Sequence, residues 1–404
     1  MGSRYNRKKH NYKVRNLKRF ALSCATTLLV LILLVSGIYS LINKNFNSGK
    51  NVAEKTNTVK KIENKEKAKK DSDSSALDKN KSTNAGEGKI TEVLITSAGD
   101  CTLGSDTKFG YANSLPCVLD QNNKDFSYFF KNVKDIFSKD DLTLVNLETT
   151  FTNATTKATK TFNFKADPSY AKALTLGSIE AVNISNNHIH DYLDKGFEDT
   201  KKALEDEKVP YFGEGNKVIK TVKGHNFGLL GYQGWNFSED LKDKVEKDIK
   251  ELKDKNCTVI INFHWGLEGN YLPYDVQKSL GHFAIDKGAD LVIGHHPHVV
   301  QSIEKYNDKI ICYSMGNFCF GGNFNPKDKD TFVFQTKFKF DNNKLLGYDT
   351  KVIPFSISSK KNINDYCPTI AEGSEKIRIL NKLKDLSPSY KDNVKDEFLP
   401  VKAN

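Results

Sequence analysis

Beyond residue 89 this chain lacks the basic surplus that its net charge of +11 suggests. The first nineteen residues hold eight Lys or Arg and no acid, and Lys44–Lys89 holds twelve Lys against seven acids. The remainder, from residue 90 onward, carries 41 basic and 43 acidic residues, so the part able to fold is near neutral. Non-specific nucleic-acid binding depends on many cations facing phosphates, and it loses its main support. That part also has no Arg or Lys run suited to gripping a polyanion, and no internal repeat. Residues 43–90 have almost no apolar content. Such a segment cannot bury enough surface to offset its chain entropy and reads as a disordered tether.

Charge is absent altogether from Phe20–Ile42, a run of 23 residues. As a helix it is long enough to cross roughly 30 Å of hydrocarbon. The basic cluster Arg4–Arg19 precedes it, so the expected topology is a single-pass anchor with a cytoplasmic N-terminus and an extracytoplasmic domain. A cleaved signal peptide is the rival, but its apolar region is usually shorter and no small-x-small site follows. The expected division is a basic segment 1–19, an anchor 20–42, a tether 43–90, a folded domain 91–355 and a peripheral C-terminal segment 356–404. Of seven cysteines, Cys24 lies in the apolar run. Export permits disulfides among the other six, and sequence cannot choose a pairing. Cys257 and Cys312 sit within apolar strand-like runs and read as small buried hydrophobes.

From residue 90 strand and helix patterns alternate. Strands are expected over 92–98, 142–147, 179–184, 226–232, 258–263, 290–293, 309–313 and 331–340. Helices are expected over 125–139, 168–176, 194–208, 239–255 and 274–287, the first with Asp125 as its cap. The alternation implies α/β architecture with helices against a sheet. The late strands have no helices between them, which predicts an antiparallel edge or a second sheet.

Five polar clusters fall just past expected strand ends, where open α/β sheets place their sites. They are Gly99-Asp100, Asn146-Leu147-Glu148, Asn186-Asn187-His188-Ile189-His190-Asp191, His264-Trp265-Gly266 and Gly294-His295-His296-Pro297-His298. Gly-Asp after a strand is also ordinary turn chemistry, and a lone Glu or His at a strand end is commonplace. Three His within four residues is not, since structural histidines usually occur singly. Carboxylates, an amide oxygen and several imidazoles make a donor set for Mn, Fe or Zn that needs no thiolate. His188 can donate a proton to a leaving group, with Asp191 orienting its ring. His225 and His282 lie outside the clusters and read as structural.

Taken in order, these clusters resemble the CapA-type proteins of poly-γ-glutamate capsule synthesis, a family within the calcineurin-like metallophosphatase fold group. The resemblance rests on Gly99-Asp100 with Leu103-Gly104, Asn146-Leu147-Glu148, Asn187-His188 with Asp191, and His264-Trp265-Gly266 with Glu268. It continues through Gly288-Ala289-Asp290, Val292-Ile293-Gly294, His296-Pro297-His298 with Gln301, and Tyr313-Ser314 with Gly316-Asn317-Phe318. It implies a metallophosphatase-like β-sandwich flanked by helices. It also implies two divalent ions, one held by Asp100 and His298, the other by Asn187, His264 and His296, with Glu148 bridging. His188 would act at the leaving oxygen. Two departures stand out. Thr102 occupies the place of a usual His, and a Glu replaces the usual bridging Asp, so one ion should bind more weakly. Cys101, beside Asp100, reads as a packing residue.

The resemblance therefore implies a cell-surface protein of capsule synthesis or export with a metal-dependent, phosphoesterase-like hydrolase site. Its partners would be the capsule polymer and membrane synthase subunits, with no nucleic acid. The alternative is a non-catalytic, metal-binding or structural subunit of a capsule-polymer assembly.

Overall fold

The computed structural model describes residues 90–401. The basic segment 1–19, the anchor 20–42 and the tether up to residue 89 lie outside them. Among the described residues, no helix is long and apolar enough to cross a membrane.

Two sheets dominate. The first runs, in spatial order, Thr369–Ile370, Lys344–Ser356, Asp330–Asp341, Ile90–Thr102, Leu142–Leu147, Ala181–Asn183 and Tyr211–Phe212. The second runs Ile303–Tyr306, Lys309–Cys312, Leu291–His295, Thr258–Trp265, His225–Gly234 and Val218–Val222. Parallel pairs form the middle of each, as βαβ connections require. Asp330–Asp341 and Lys344–Ser356 add the antiparallel flank that helix-free sequence predicts.

Period-two alternation sorts side chains into layers. Val93, Ile95, Leu142 and Leu144 of the first sheet share a cluster with Ile260, Leu291, Ile293 and Ile310 of the second. That cluster fills the space between the sheets. Val145 and Leu147 face the opposite way, toward helices Lys172–Leu176 and Leu193–Asp206. Val259, Ile261 and Phe263 face helices Glu239–Asp254 and Asp275–Asp286. The layers are thus helix, sheet, sheet, helix.

Two segments differ from expectation. Residues 125–139 form a tight turn, Phe126–Phe130, and a short helix, Lys134–Phe137. Asp125 does cap the turn, accepting from Ser127 N at 2.9 Å. Tyr128, Phe129 and Phe130 are all buried, and a continuous α-helix would fan three consecutive side chains over about 200° of its surface. The C-terminal segment is not peripheral. Helix Gly373–Leu386 sends Ile379 and Leu383, one turn apart, into the inter-sheet cluster, where Ala371, Tyr390 and Val394 join them. All six described cysteines are free and buried.

A charged clasp fixes that helix. The Arg378 guanidinium donates to both Asp330 oxygens, and Lys382 Nζ lies 2.8 Å from one of them. Burial pushes the Asp330 carboxyl up, but these cations outweigh it and hold the acid below its ordinary 3.8. An acid depressed on folding contributes stability above its unfolded value and loses it as pH falls through the folded one. Between about pH 5 and about pH 2 the melting temperature should therefore fall more steeply in the wild type than in Asp330→Asn. Parallel melting curves for the two would rule the clasp out.

Candidate metal centre

The parallel strands of both sheets end on the same side of the molecule, and their last residues converge there. On Ile90–Thr102 the register against Leu142–Leu147 shifts between Ser97 and Asp100. Such a bulge re-aims a side chain. Gly99 makes the approach possible, since a Cβ there would lie 2.1 Å from Gly316 O. The next amide, Asp100 N, donates to that same oxygen at 3.0 Å. Asp100 is fully buried. Its Oδ1 accepts from Asn146 Nδ2 at 2.9 Å and its Oδ2 from the His296 amide at 3.2 Å. His295 and His298 each place Nδ1 within 3.5 Å of it. Burial would raise this carboxyl, but the two histidines outweigh it and hold it well below the usual range.

Glu148 is the opposite case. It is fully buried, and neither oxygen has a hydrogen bond. Around Oε1 stand His264 Nε2 at 3.5 Å, His298 Nε2 at 3.7 Å and His188 Nε2 at 4.0 Å. Burial pushes this acid well above its ordinary value, although His298 opposes the shift. His298 is driven up to about 10 by Glu148 and Asp100 against its own burial. Burial and the charge of His298 pull His296 down to about 3, and burial takes His264 well below its ordinary value.

Neighbouring amides orient the rings. Asn317 Oδ1 lies 2.8 Å from His298 Nδ1, which leaves Nε2 toward Glu148. Asn187 Oδ1 lies 2.8 Å from His264 Nε2, and Asn146 Nδ2 lies 3.3 Å from His264 Nδ1. Such partners select a tautomer and fix a ligand's direction. His296 Nδ1, like Glu148, is buried without a hydrogen bond.

Ligand atoms fall into three groups, each within 4.8 Å: Asp100, Glu148 and His298; Glu148, His264 and His296; Glu268, His296 and His298. Five of the six ligands expected from sequence fall in these groups; Asn187 is in none of them and meets His264 through its Oδ1. A buried carboxylate without hydrogen bonds is costly unless a cation faces it. Oxygen and imidazole donors around unbonded buried atoms fit a divalent ion of the Mn, Fe or Zn kind. Cys101 is not part of the set: it packs in the outer hydrophobic cluster, where burial drives its thiol up. Thr102 is buried with its hydroxyl unbonded and brings no imidazole.

His188 and Asp191 also meet. His188 Nδ1 lies 2.7 Å from Asp191 Oδ2, and burial pulls the imidazole below its ordinary value while Asp191 opposes. Sequence reasoning missed Lys160, whose Nζ donates to Asp191 Oδ1 at 2.7 Å and to Asn187 O at 2.6 Å. The Phe164 amide donates to Asp191 Oδ2 at 2.6 Å. Trp235, also missed, sets its ring edge-on to His296 at 4.8 Å. Of the remaining histidines, His190 turns to Glu214, while His225 and His282 stack on Phe340 and Tyr306.

Fold and site together define an α/β protein with a buried carboxylate–imidazole centre at its strand ends. The chain belongs to the bacterial capsule synthesis protein family PGA_cap, whose profile matches residues 94–322, more than half its length. It is 30% identical to the capsule biosynthesis protein CapA of Bacillus anthracis, over 61% of this chain and 64% of that protein. It is 29% identical to the PGA biosynthesis protein CapA of Bacillus subtilis (strain 168), over 47% of this chain and 56% of that one. The matched region thus spans less than two thirds of either relative. Among solved structures, TT1561 of Thermus thermophilus aligns at 13% identity with a TM-score of 0.35, over 65% of this chain and 99% of that one. A likeness of that degree carries no inference.

If the centre binds a divalent ion, Mn at a hundredfold excess over its Kd should stabilise the folded chain by about 2.7 kcal/mol. Glu148→Gln should abolish that gain, because Glu148 is common to two of the three candidate groups. Thermal melts of the full-length chain with and without Mn measure it, and an unchanged gain in the variant would remove Glu148 from the ligand set.

Proposed function

We propose that this chain is a CapA-like capsule-synthesis protein, anchored through Phe20–Ile42 and working on the outer side of the membrane. Its strand-end centre would be a metal-dependent hydrolase site of the phosphoesterase type. The observation that carries this reading is Glu148, fully buried with both oxygens free of hydrogen bonds, amid His264, His298 and His188.

Asp100, Glu148, Asn187, His264, His296 and His298 would hold one or two ions. When bound, such ions polarise a phosphoryl or carbonyl oxygen and lower the pKa of water. The protein's own residues supply the rest. Asp191 accepts from His188 Nδ1 and leaves Nε2 facing the centre, where the ring, once protonated there, can pass that proton to a departing oxygen. Lys160 lies 2.7 Å from the buried Asp191 carboxylate and faces it with a positive charge. Trp235 and Phe164 wall the site against His296 and His188 and limit water around the reacting groups.

A second reading is a non-catalytic metal-binding subunit of a polymer-assembly complex. Thr102 favours it, since one ion lacks the imidazole that a fully equipped centre would provide. In either case the capsule polymer and membrane synthase subunits are the proposed partners.

Elemental analysis and phosphoester turnover of the Mn-loaded full-length chain separate the readings. Bound metal with turnover supports the hydrolase. Bound metal without turnover favours the assembly subunit, and neither sinks the metal reading. His188→Ala should keep its metal, because His188 belongs to none of the three ligand groups. Its turnover should fall about 10²–10⁴-fold.

A further inference from the structure

Glu268 lies outside the six ligands, yet its carboxylate comes within 4.8 Å of ligand nitrogens on His296 and His298. His296 belongs to one of the other two groups and His298 to the other. Glu148 joins the groups from the protein interior, and Glu268 spans the same two histidines from the exposed side. We infer that Glu268 is a metal ligand on the solvent side of the centre, supplying an oxygen donor that offsets the imidazole missing at Thr102. This rests on the metal reading proposed above.

Two observations support it. The His296 imidazole is buried, and its Nδ1 has no hydrogen bond. The turn that carries it is pinned to the histidine loop. Gly266 and Gly269 take φ of 94° and 73°, and Gly269 N donates to Pro297 O at 2.8 Å. Pro297 stands between the two histidines that Glu268 spans, so turn and loop are held together.

Chemistry sharpens the assignment. Exchanging an imidazole for a third carboxylate, beside Asp100 and Glu148, makes the donor set harder, which favours Mn or Fe over Zn. An exposed carboxylate is also the ligand most easily displaced by an incoming anion, whereas Glu148 is locked in place by burial.

The test uses the full-length chain in detergent, loaded with Co(II) as a visible probe, with cobalt per chain, affinity and absorption spectrum as readouts. Glu268→Gln should weaken the more weakly held cobalt at least about tenfold and change the visible band. Glu268→Asp should restore part of the affinity. Circular dichroism and melting of both metal-free variants should match wild type, because the residue is exposed. Unchanged stoichiometry, affinity and spectrum in Glu268→Gln would overturn this assignment alone. A wild-type chain that takes up no cobalt, Mn or Zn would overturn it together with the metal reading.

Discussion

A carboxylate without hydrogen bonds, sealed from water, is the constraint around which the strand ends of this protein are organised. A charge placed so is held at a cost of several kcal/mol unless something positive faces it. At Glu148 the nearest positive group inside the protein is His298, and the two shift each other's proton affinities in opposite senses: His298 lowers the acid against its burial, and Glu148 raises the imidazole. Asp100, less than one strand spacing away on the paired strand, is treated quite differently. It is bonded by Asn146 and by the His296 amide, and its acid is depressed. The contrast separates a carboxylate already satisfied by protein from one left open.

The two-sheet architecture makes that arrangement possible. Each sheet alone contributes strand ends in a row about 4.8 Å apart, which would spread ligands along a line. With two sheets packed face to face, Asp100 and Glu148 come from the first, while His264, His296 and His298 come from the second. The candidate ligands come within 4.8 Å of one another because both rows end at the same level. The inter-sheet cluster from Val93 to Ile310 is therefore also the support of the site. The C-terminal helix, clasped through Arg378 and Asp330, packs its Ile379 and Leu383 into that same cluster. A segment without any ligand thus bears on the spacing of those that have them.

Legibility in the sequence followed local pattern. Parallel strands buried on both faces read as plain apolar runs, so the polar residues that end them were conspicuous, and five of the six expected candidates fall into common groups. His188 and Asp191, three residues apart, could be paired from spacing alone. Lys160 could not, because it comes from a polar Thr- and Lys-rich loop with no periodicity and reaches Asp191 only through the tertiary fold. Asn317 was visible in a motif, but its task of fixing the His298 ring is a property of packing. Residues 125–139 misled because the periodicity of Phe126, Phe129, Phe130, Val133 and Phe137 is helical, while the need to bury three adjacent aromatics is not. The C-terminal segment read as peripheral because its pattern is weak: Lys376, Arg378, Lys382 and Lys384 interrupt the apolar residues of its helix.

Strain in the histidine loop bears on how such a centre could operate. His296 and His298 take φ of 95° and 57°, in the region L-residues avoid. Each such residue costs on the order of 1–3 kcal/mol and persists only where its surroundings overdetermine it. They do so here from several directions. Asp100 accepts from the His296 amide, Gly269 donates to Pro297 O, Asn317 Nδ2 donates to His298 O, and Ser314 Oγ donates to Val299 O. These anchors come from the first sheet, from the turn after Trp265 and from the segment after Tyr313, so no single substitution releases the whole loop. Candidate ligands held in this way are positioned by the fold itself. An ion entering such a loop would meet imidazoles whose ordering cost has already been met by folding, which raises affinity without any added contact. It follows that weak binding at the Asp100 side, if it occurs, would come from the number of donors there and not from disorder among them.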